Sequence, residues 1–171
     1  MSFYIFLSTL RLHIKLICGG AQYGENTKRT TTLSSDQIIP FHFHPYSSFD
    51  VAVKNSYDEE FIYVCITRRL ARANNFLILP KHPLSAEEVQ LLDYDTGIAT
   101  IDWDAMESSS TLSDYNKNVR MAECLTEKVV PVNYFHSIAV RDESIKRIVE
   151  QKLQIVHGTR PYVNIQPWLR K

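Results

Sequence analysis

IIPFHFHPYSSFD, residues Ile38 to Asp50, sets two histidines two positions apart between phenylalanines and ends in a Pro-Tyr turn. Strand alternation sends Ile39, Phe41 and Phe43 to one face and His42 and His44 to the other. The phenylalanine face reads as core. For the histidine face three readings stand: half of a metal site, a pair of solvated surface histidines, or the polar wall of a pocket with His44 in the turn. Zinc requires a third ligand, and no further His or Cys lies at a helpful spacing, so no metal is expected.

Outward from this strand, FIYVCIT (Phe61–Thr67) is a β-branched and aromatic run, the pattern of a buried central strand. RRLARAN (Arg68–Asn74) suits a short helix, and Phe76–Leu79 another strand. Glu123–Val130 alternates up to Pro131 and reads as a strand, Ile138–Val140 as a short one, and Val163–Ile165 as the last. Asp142 caps a helix through about Leu153, because Ile145, Ile148, Val149 and Leu153 share a helical face. IDWDAM (Ile101–Met106) looks like a helix start capped by Asp102, whereas Lys81–Asp104 otherwise reads as a long connection with a helical turn at Ala86–Leu92. Phe49–Lys54 suits a short helix or a continuation of the strand before it. Ser108–Ser113 is polar and reads as a loop, as does Gly19–Ser35, whose length suggests a working segment. The result is an α+β domain with strands dominating the core.

The composition bounds the function. A chain of 171 residues fits one domain, here 1–171. Lys+Arg and Asp+Glu balance at 19 each, so nucleic-acid binding has to come from local patches and stacking, not from net charge. Cys18, Cys65 and Cys124 lie far apart in an odd count, which points away from a disulfide framework and toward a reducing, cytoplasmic compartment. No Gly-rich phosphate loop is present. The apolar start FYIFLSTLRLHIKLIC (Phe3–Cys18) is too short and too charged to span a bilayer, so no membrane is expected, and it reads as a first strand or helix.

Candidates for chemistry are few. Glu123 stands at the mouth of a strand among apolar neighbours, a costly place for a carboxylate unless it is solvated, paired or used. Arg120 and Lys128 are the partners for the paired reading. Lys28 and Arg29 lie in the Gly/Thr/Ser-rich loop, where a guanidinium can grip phosphate or carboxylate. TRRLAR (Thr67–Arg72) and Lys81-His82 are small basic clusters that either meet a phosphate backbone or line a solvated surface. These features alone describe a pocket and name no reaction.

In order along the chain, however, the pieces resemble the DarT family of DNA ADP-ribosyltransferase toxins. They run from an N-x-x-R-like loop (Asn26–Arg29) through the Pro-Phe-x-Phe strand and its turn (Pro40–Tyr46) to Lys-His-Pro (Lys81–Pro83). Ile-Asp-Trp (Ile101–Trp103), Arg-x-Ala-Glu (Arg120–Glu123) and Ile-x-Val-Arg-x-Glu-Ser (Ile138–Ser144) follow, and the likeness spans about Asn26 to Trp168. The start departs from the pattern: relatives usually open with Tyr-His-hydrophobic-Thr-His, and residues 1–20 are atypical.

The resemblance implies an ADP-ribosyltransferase fold, two small sheets forming an NAD cleft with peripheral helices. It implies transfer of ADP-ribose from NAD+ to a base in single-stranded DNA, with nicotinamide released and a macrodomain antitoxin as partner. By the same resemblance Glu123 is the catalytic glutamate. Arg29 is a loop arginine against NAD+ that also serves catalysis, and His42 lies on the strand beside the co-substrate. Phe49, His82 and Arg120 fall on the DNA side. Two other readings predict different outcomes: the same fold acting on RNA, protein or water, and a single-strand-binding module without turnover.

Overall fold

The computed structural model describes residues 4–10 (backbone), 38–45, 61–82, 90–108, 113–155, 158 and 160–166. The Gly19–Ser35 loop with Arg29, the segment Phe49–Lys54, residues 86–89 of the Ala86–Leu92 turn, the interior of Ser108–Ser113 and Trp168 lie outside the described residues.

Seven strands form the sheet: β1 (Tyr4–Leu10), β2 (Ile39–His42), β3 (Phe61–Thr67), β4 (Leu77–Leu79), β5 (Glu123–Thr126), β6 (Ser137–Val140) and β7 (Tyr162–Ile165). Their spatial order is β4-β5-β2-β1-β3-β6-β7. Within the apolar start of the chain, Tyr4–Leu10 is therefore a strand. It pairs with β3 over seven registered positions but with β2 only at Phe6↔His42. The sheet thus consists of two small halves, β4-β5-β2 and β1-β3-β6-β7, hinged at one seam, as expected of the fold. All pairings are antiparallel except β6–β7. That pair needs a crossover, which the helix between them supplies.

Among the described residues five α-helices pack on one face: α1 (Arg68–Ala73), α2 (Tyr94–Thr100), α3 (Trp103–Glu107), α4 (Asp114–Arg120) and α5 (Glu143–Leu153). Side-chain oxygens cap their N-termini. Asp93, Asp102 and Asp142 accept from the backbone N–H of Thr96, Ala105 and Ile145 at 2.9–3.0 Å, and Thr67 and Ser113 do the same for α1 and α4. The core on this face joins Phe41, Ile66, Ile78, Val119, Cys124 and Val140, all fully buried. A smaller apolar patch of Ile38, Leu79 and Leu125 lies on the opposite face.

Three sequence expectations need correction. Tyr94–Thr100 is a helix, not connection, although glycine stands at its centre. A Cβ on Gly97 would lie 2.3 Å from Ile78 Cβ, so the glycine lets the helix rest directly on β4 and offsets its poor intrinsic helicity. Next, β5 stops at Thr126 instead of Val130: Thr126 Oγ1 accepts from Lys128 N in a bend, and Lys128 Nζ turns to the Asn74 carbonyl. Val129 is consequently 83 % exposed. In α5, Ile145, Val149 and Leu153 are buried but Ile148 is half exposed at the edge of the stripe. Helix α4 follows the polar Ser-rich loop and had no clear apolar period to announce it.

Candidate active site

His42 and Glu123 are direct partners in the β2–β5 ladder. The residues lie far apart in sequence, and only the antiparallel register brings them together. Directly opposed side chains leave the same face, with Cα atoms roughly 4.5–5.5 Å apart. Leu79 is registered against Glu123 on its other side, and Phe6 against His42. The row continues through Cys65 to Ser137 and Tyr162. It crosses both halves of the sheet on the face away from the helices, and its acidic member stands beside the seam.

The environment of each group fits a built site. His42 is 5 % exposed, which rules out the reading of two surface histidines for that residue. Glu123 is half-buried at the first position of β5. Its approach is fixed by α4: Met121 N and Ala122 N donate to the carbonyls of Asn118 and Val119 at 3.3 and 2.9 Å, and Ala122 is fully buried. Arg120 donates through Nε to the Met106 carbonyl at 3.2 Å and through Nη2 to the Ser108 carbonyl. Its guanidinium thus ties α4 to the end of α3 just before Glu123. Among the described residues no ion pair joins Glu123 to Arg120 or Lys128.

The same end of the sheet gathers further groups, because β4, β2 and β3 all end there. Beyond Leu79 the chain passes to Lys81 and His82, and the His82 N–H donates to the Asn118 carbonyl of α4 at 3.0 Å. Burial lowers the His82 imidazole pKa, which favours the neutral ring at pH 7. Beyond His42, Pro45 accepts from the Tyr63 hydroxyl at 3.2 Å, which moors the turn after β2 to β3 on the site face. His44 lies in that turn.

One cluster escaped the sequence reading. The Arg68 guanidinium lies 4.1 Å from the Trp103 ring centroid and 5.4 Å from that of Phe43, and the two rings meet edge-on at 5.6 Å. Trp103 is itself fixed by its indole N–H, which donates to the Ile98 carbonyl at 3.1 Å. Arg68 therefore braces Phe43, the residue after His42, from the helical side. The TRRLAR cluster is split: Arg68 faces inward to the rings, while Arg72 pairs with Asp95 at 2.8 Å in the open. The signal available in the sequence was a tryptophan in IDWDAM with no assigned partner and an arginine opening a helix.

The two described cysteines, Cys65 and Cys124, are not set up as nucleophiles. Burial pushes the Cys65 thiol up to about 11 and raises Cys124 as well, so both stay protonated near neutral pH. Among the described residues no group of three or more His, Cys, Asp or Glu is placed to hold a metal. A cavity of about 140 Å³ lined by Ile38, Asn74, Leu125 and Lys128 lies at the opposite end of the β4-β5-β2 half from Glu123, where Thr126 ends β5. No helix among the described residues is long and apolar enough to cross a membrane.

Residues 20–170 match the profile of the family described as ssDNA thymidine ADP-ribosyltransferase, DarT. No curated protein matches the sequence. The fold is similar to that of Thermus sp. 2.9 DarT in complex with NAD+, with a TM-score of 0.77 at 16 % identity over 99 % of this chain and 98 % of that one. The same Thermus protein in complex with ADP-ribosylated ssDNA gives 0.76 at 17 % identity, over 99 % and 97 %. Thermosipho africanus DarTG in complex with ADP-ribose gives 0.65 at 15 % identity, over 97 % of this chain and 50 % of that one. At such identities the structural likeness establishes the fold.

Proposed function

The chain belongs to the DarT family of ssDNA thymidine ADP-ribosyltransferases, and from that premise we propose which of its residues carry the reaction. The substrate pair is NAD+ and a thymine in single-stranded DNA. The observation that carries the assignment is the register: a half-buried carboxylate, Glu123, stands beside a buried imidazole, His42, at the seam of the two half-sheets. This donor set suits the ribose nearest nicotinamide, with Glu123 toward its hydroxyls and His42 on the wall behind. Arg29, from the loop outside the described residues, reaches the same co-substrate and assists catalysis.

NAD+ supplies an anomeric carbon that gains positive charge as the nicotinamide–ribose bond breaks and the bonding pair leaves with nicotinamide. Glu123 stabilises that charge in a site partly shielded from water, where a carboxylate acts more strongly than in solution. A thymine nucleotide keeps one ring N–H, at N3. Glu123 takes that proton as the nitrogen's electron pair forms the new bond to the ribose carbon. Phe49, His82 and Arg120 belong to the DNA side in this reading. Arg120 acts there by holding the α4 end from which Glu123 departs, since its guanidinium already binds the Met106 and Ser108 carbonyls.

Labelled NAD+ and short oligonucleotides with and without thymine test the assignment. Wild-type protein is expected to label the thymine-bearing strands only, and Glu123→Gln to lose on the order of 10²–10⁴ in rate. A Glu123→Gln variant as active as wild type overturns it. The protein acts in the cytoplasm, a reading that rests on its buried free cysteines. A macrodomain antitoxin removes the modification; the DarTG relative, twice as long as the matched region, supports such a second moiety.

A further inference from the structure

From the edge formed by β4 and α4, we infer that Tyr115 and Lys81 form a subsite that stacks the base and holds the phosphate of a nucleotide flanking the modified thymine. The inference rests on the DNA-modifying reading above and extends it to residues that reading does not use. Three observations carry it. Tyr115 is 44 % exposed, unusual for a ring anchored at its far end, where the hydroxyl donates to Asp102 Oδ2 at 3.0 Å. Lys81 Nζ lies 5.1 Å from the centre of the same ring. Finally, the pair lies on the Glu123 side of the sheet: Lys81 is two residues beyond Leu79, the register partner of Glu123, so at most roughly 7 Å of chain separates it from that row, and the Tyr115 ring lies against Lys81.

The geometry matches what a single strand demands. A ring held by its hydroxyl loses little freedom when a base lies on it, and every base has a π face, so such contacts tolerate sequence. The ammonium near the ring brings a cation to the point where the backbone of a stacked nucleotide passes, and a cation close to a ring also strengthens the aromatic surface. Asp102, the nearby carboxylate, caps α3 through Ala105 N and accepts from Tyr115, and Lys81 lies close enough to help hold it ionised, so the ammonium stands near both that carboxylate and the ring. The patch is continuous with His82, whose backbone is bonded to α4. A chain with balanced charge needs such a local grip to hold DNA at all.

The test combines oligonucleotide binding, read by fluorescence anisotropy across a salt series, with steady-state transfer. Tyr115→Leu is expected to weaken binding and to raise the KM for a thymine-bearing oligonucleotide about ten-fold. Its KM for NAD+ and its kcat stay within a factor of two, and Tyr115→Trp restores the affinity. Tyr115→Phe separates stacking from the Asp102 bond and retains most of the affinity. Lys81→Gln lowers the log–log salt slope by about 0.7, the loss of one phosphate contact on a single strand. With a single thymidine nucleotide as acceptor, which has no flanking base, wild type and Tyr115→Leu should be equal. Unchanged oligonucleotide affinity in Tyr115→Leu, or a loss in Tyr115→Trp as large as in Tyr115→Leu, overturns the subsite. If wild-type protein labels no oligonucleotide, the reaction assignment fails, while the anisotropy series still decides whether Tyr115 grips the strand.

Discussion

Replacing Gly97 by alanine separates a glycine that is merely tolerated in a helix from one that the packing demands. An added Cβ would stand 2.3 Å from Ile78 Cβ, 2.8 Å from its Cγ2 and 2.9 Å from its Cγ1. Ordinary carbon contacts begin about 1.2 Å farther out than the first of these, near 3.5 Å. The obstructing atoms are the root of a β-branched side chain, so no rotation of a flexible tip relieves the clash. Relief requires α2 to move off β4. Overpacking of this kind costs up to about 3 kcal/mol, and alanine returns about 1 kcal/mol of helix propensity. The net is about 2 kcal/mol of destabilisation, or roughly 4–8 °C in Tm for a domain of this size. Thermal unfolding followed by far-UV circular dichroism reads it directly. The site should feel the shift as well, because Ile78 is registered against Cys124, the neighbour of Glu123, and a misplacement of about 1 Å can cost on the order of 100-fold in rate. A variant with unchanged or raised Tm refutes the reasoning, since propensity would then have outweighed contact.

Two other perturbations test other parts of the structure. Arg68→Ala removes the guanidinium between Trp103 and Phe43 and should cost about 2 kcal/mol in urea unfolding, with Arg68→Lys recovering less than half because an ammonium lacks the planar face; equal stability of the lysine variant and wild type counts against the stack. Asp142 is held at a pKa of about 2 by hydrogen bonds from the Ser144 hydroxyl and the Ile145 N–H, with Arg141 adding to them. Its native carboxylate takes up a proton less readily than in the unfolded chain, so its stabilising effect is complete above about pH 4 and drains away as pH falls toward 2. Asp142→Asn keeps an acceptor for the cap and removes the titration, so unfolding measured from pH 5 to 2 should fall less steeply than in wild type; identical slopes would sink the assignment.

Much of the architecture was legible from local chemistry. Phe61–Thr67 could only be a buried strand, and Asp142 followed by apolar residues four apart could only open a helix. Phe41 and Phe43 had to face the core because alternation leaves no other arrangement. The helix at Tyr94–Thr100 was illegible because its central glycine argues against helix until Ile78 is seen beneath it. The stop of β5 at Thr126 was hidden in the same way: Glu127–Val130 keeps the alternation, and only the bond from Lys128 to the distant Asn74 carbonyl shows the chain leaving the ladder.

The sequence by itself determined the periodicities, the caps, the absence of a global field and a carboxylate at the mouth of a strand, since each depends on neighbours within a few positions. It could not determine that Glu123 faces His42, that Arg68 lies between two rings, or that Lys81 stands over Tyr115. Those pairings join distant stretches of chain, and they exist only after antiparallel registers and helix packing have been selected together. A one-residue slip of β5 against β2 would move Glu123 to the helix face among apolar side chains and leave every local signal as it is.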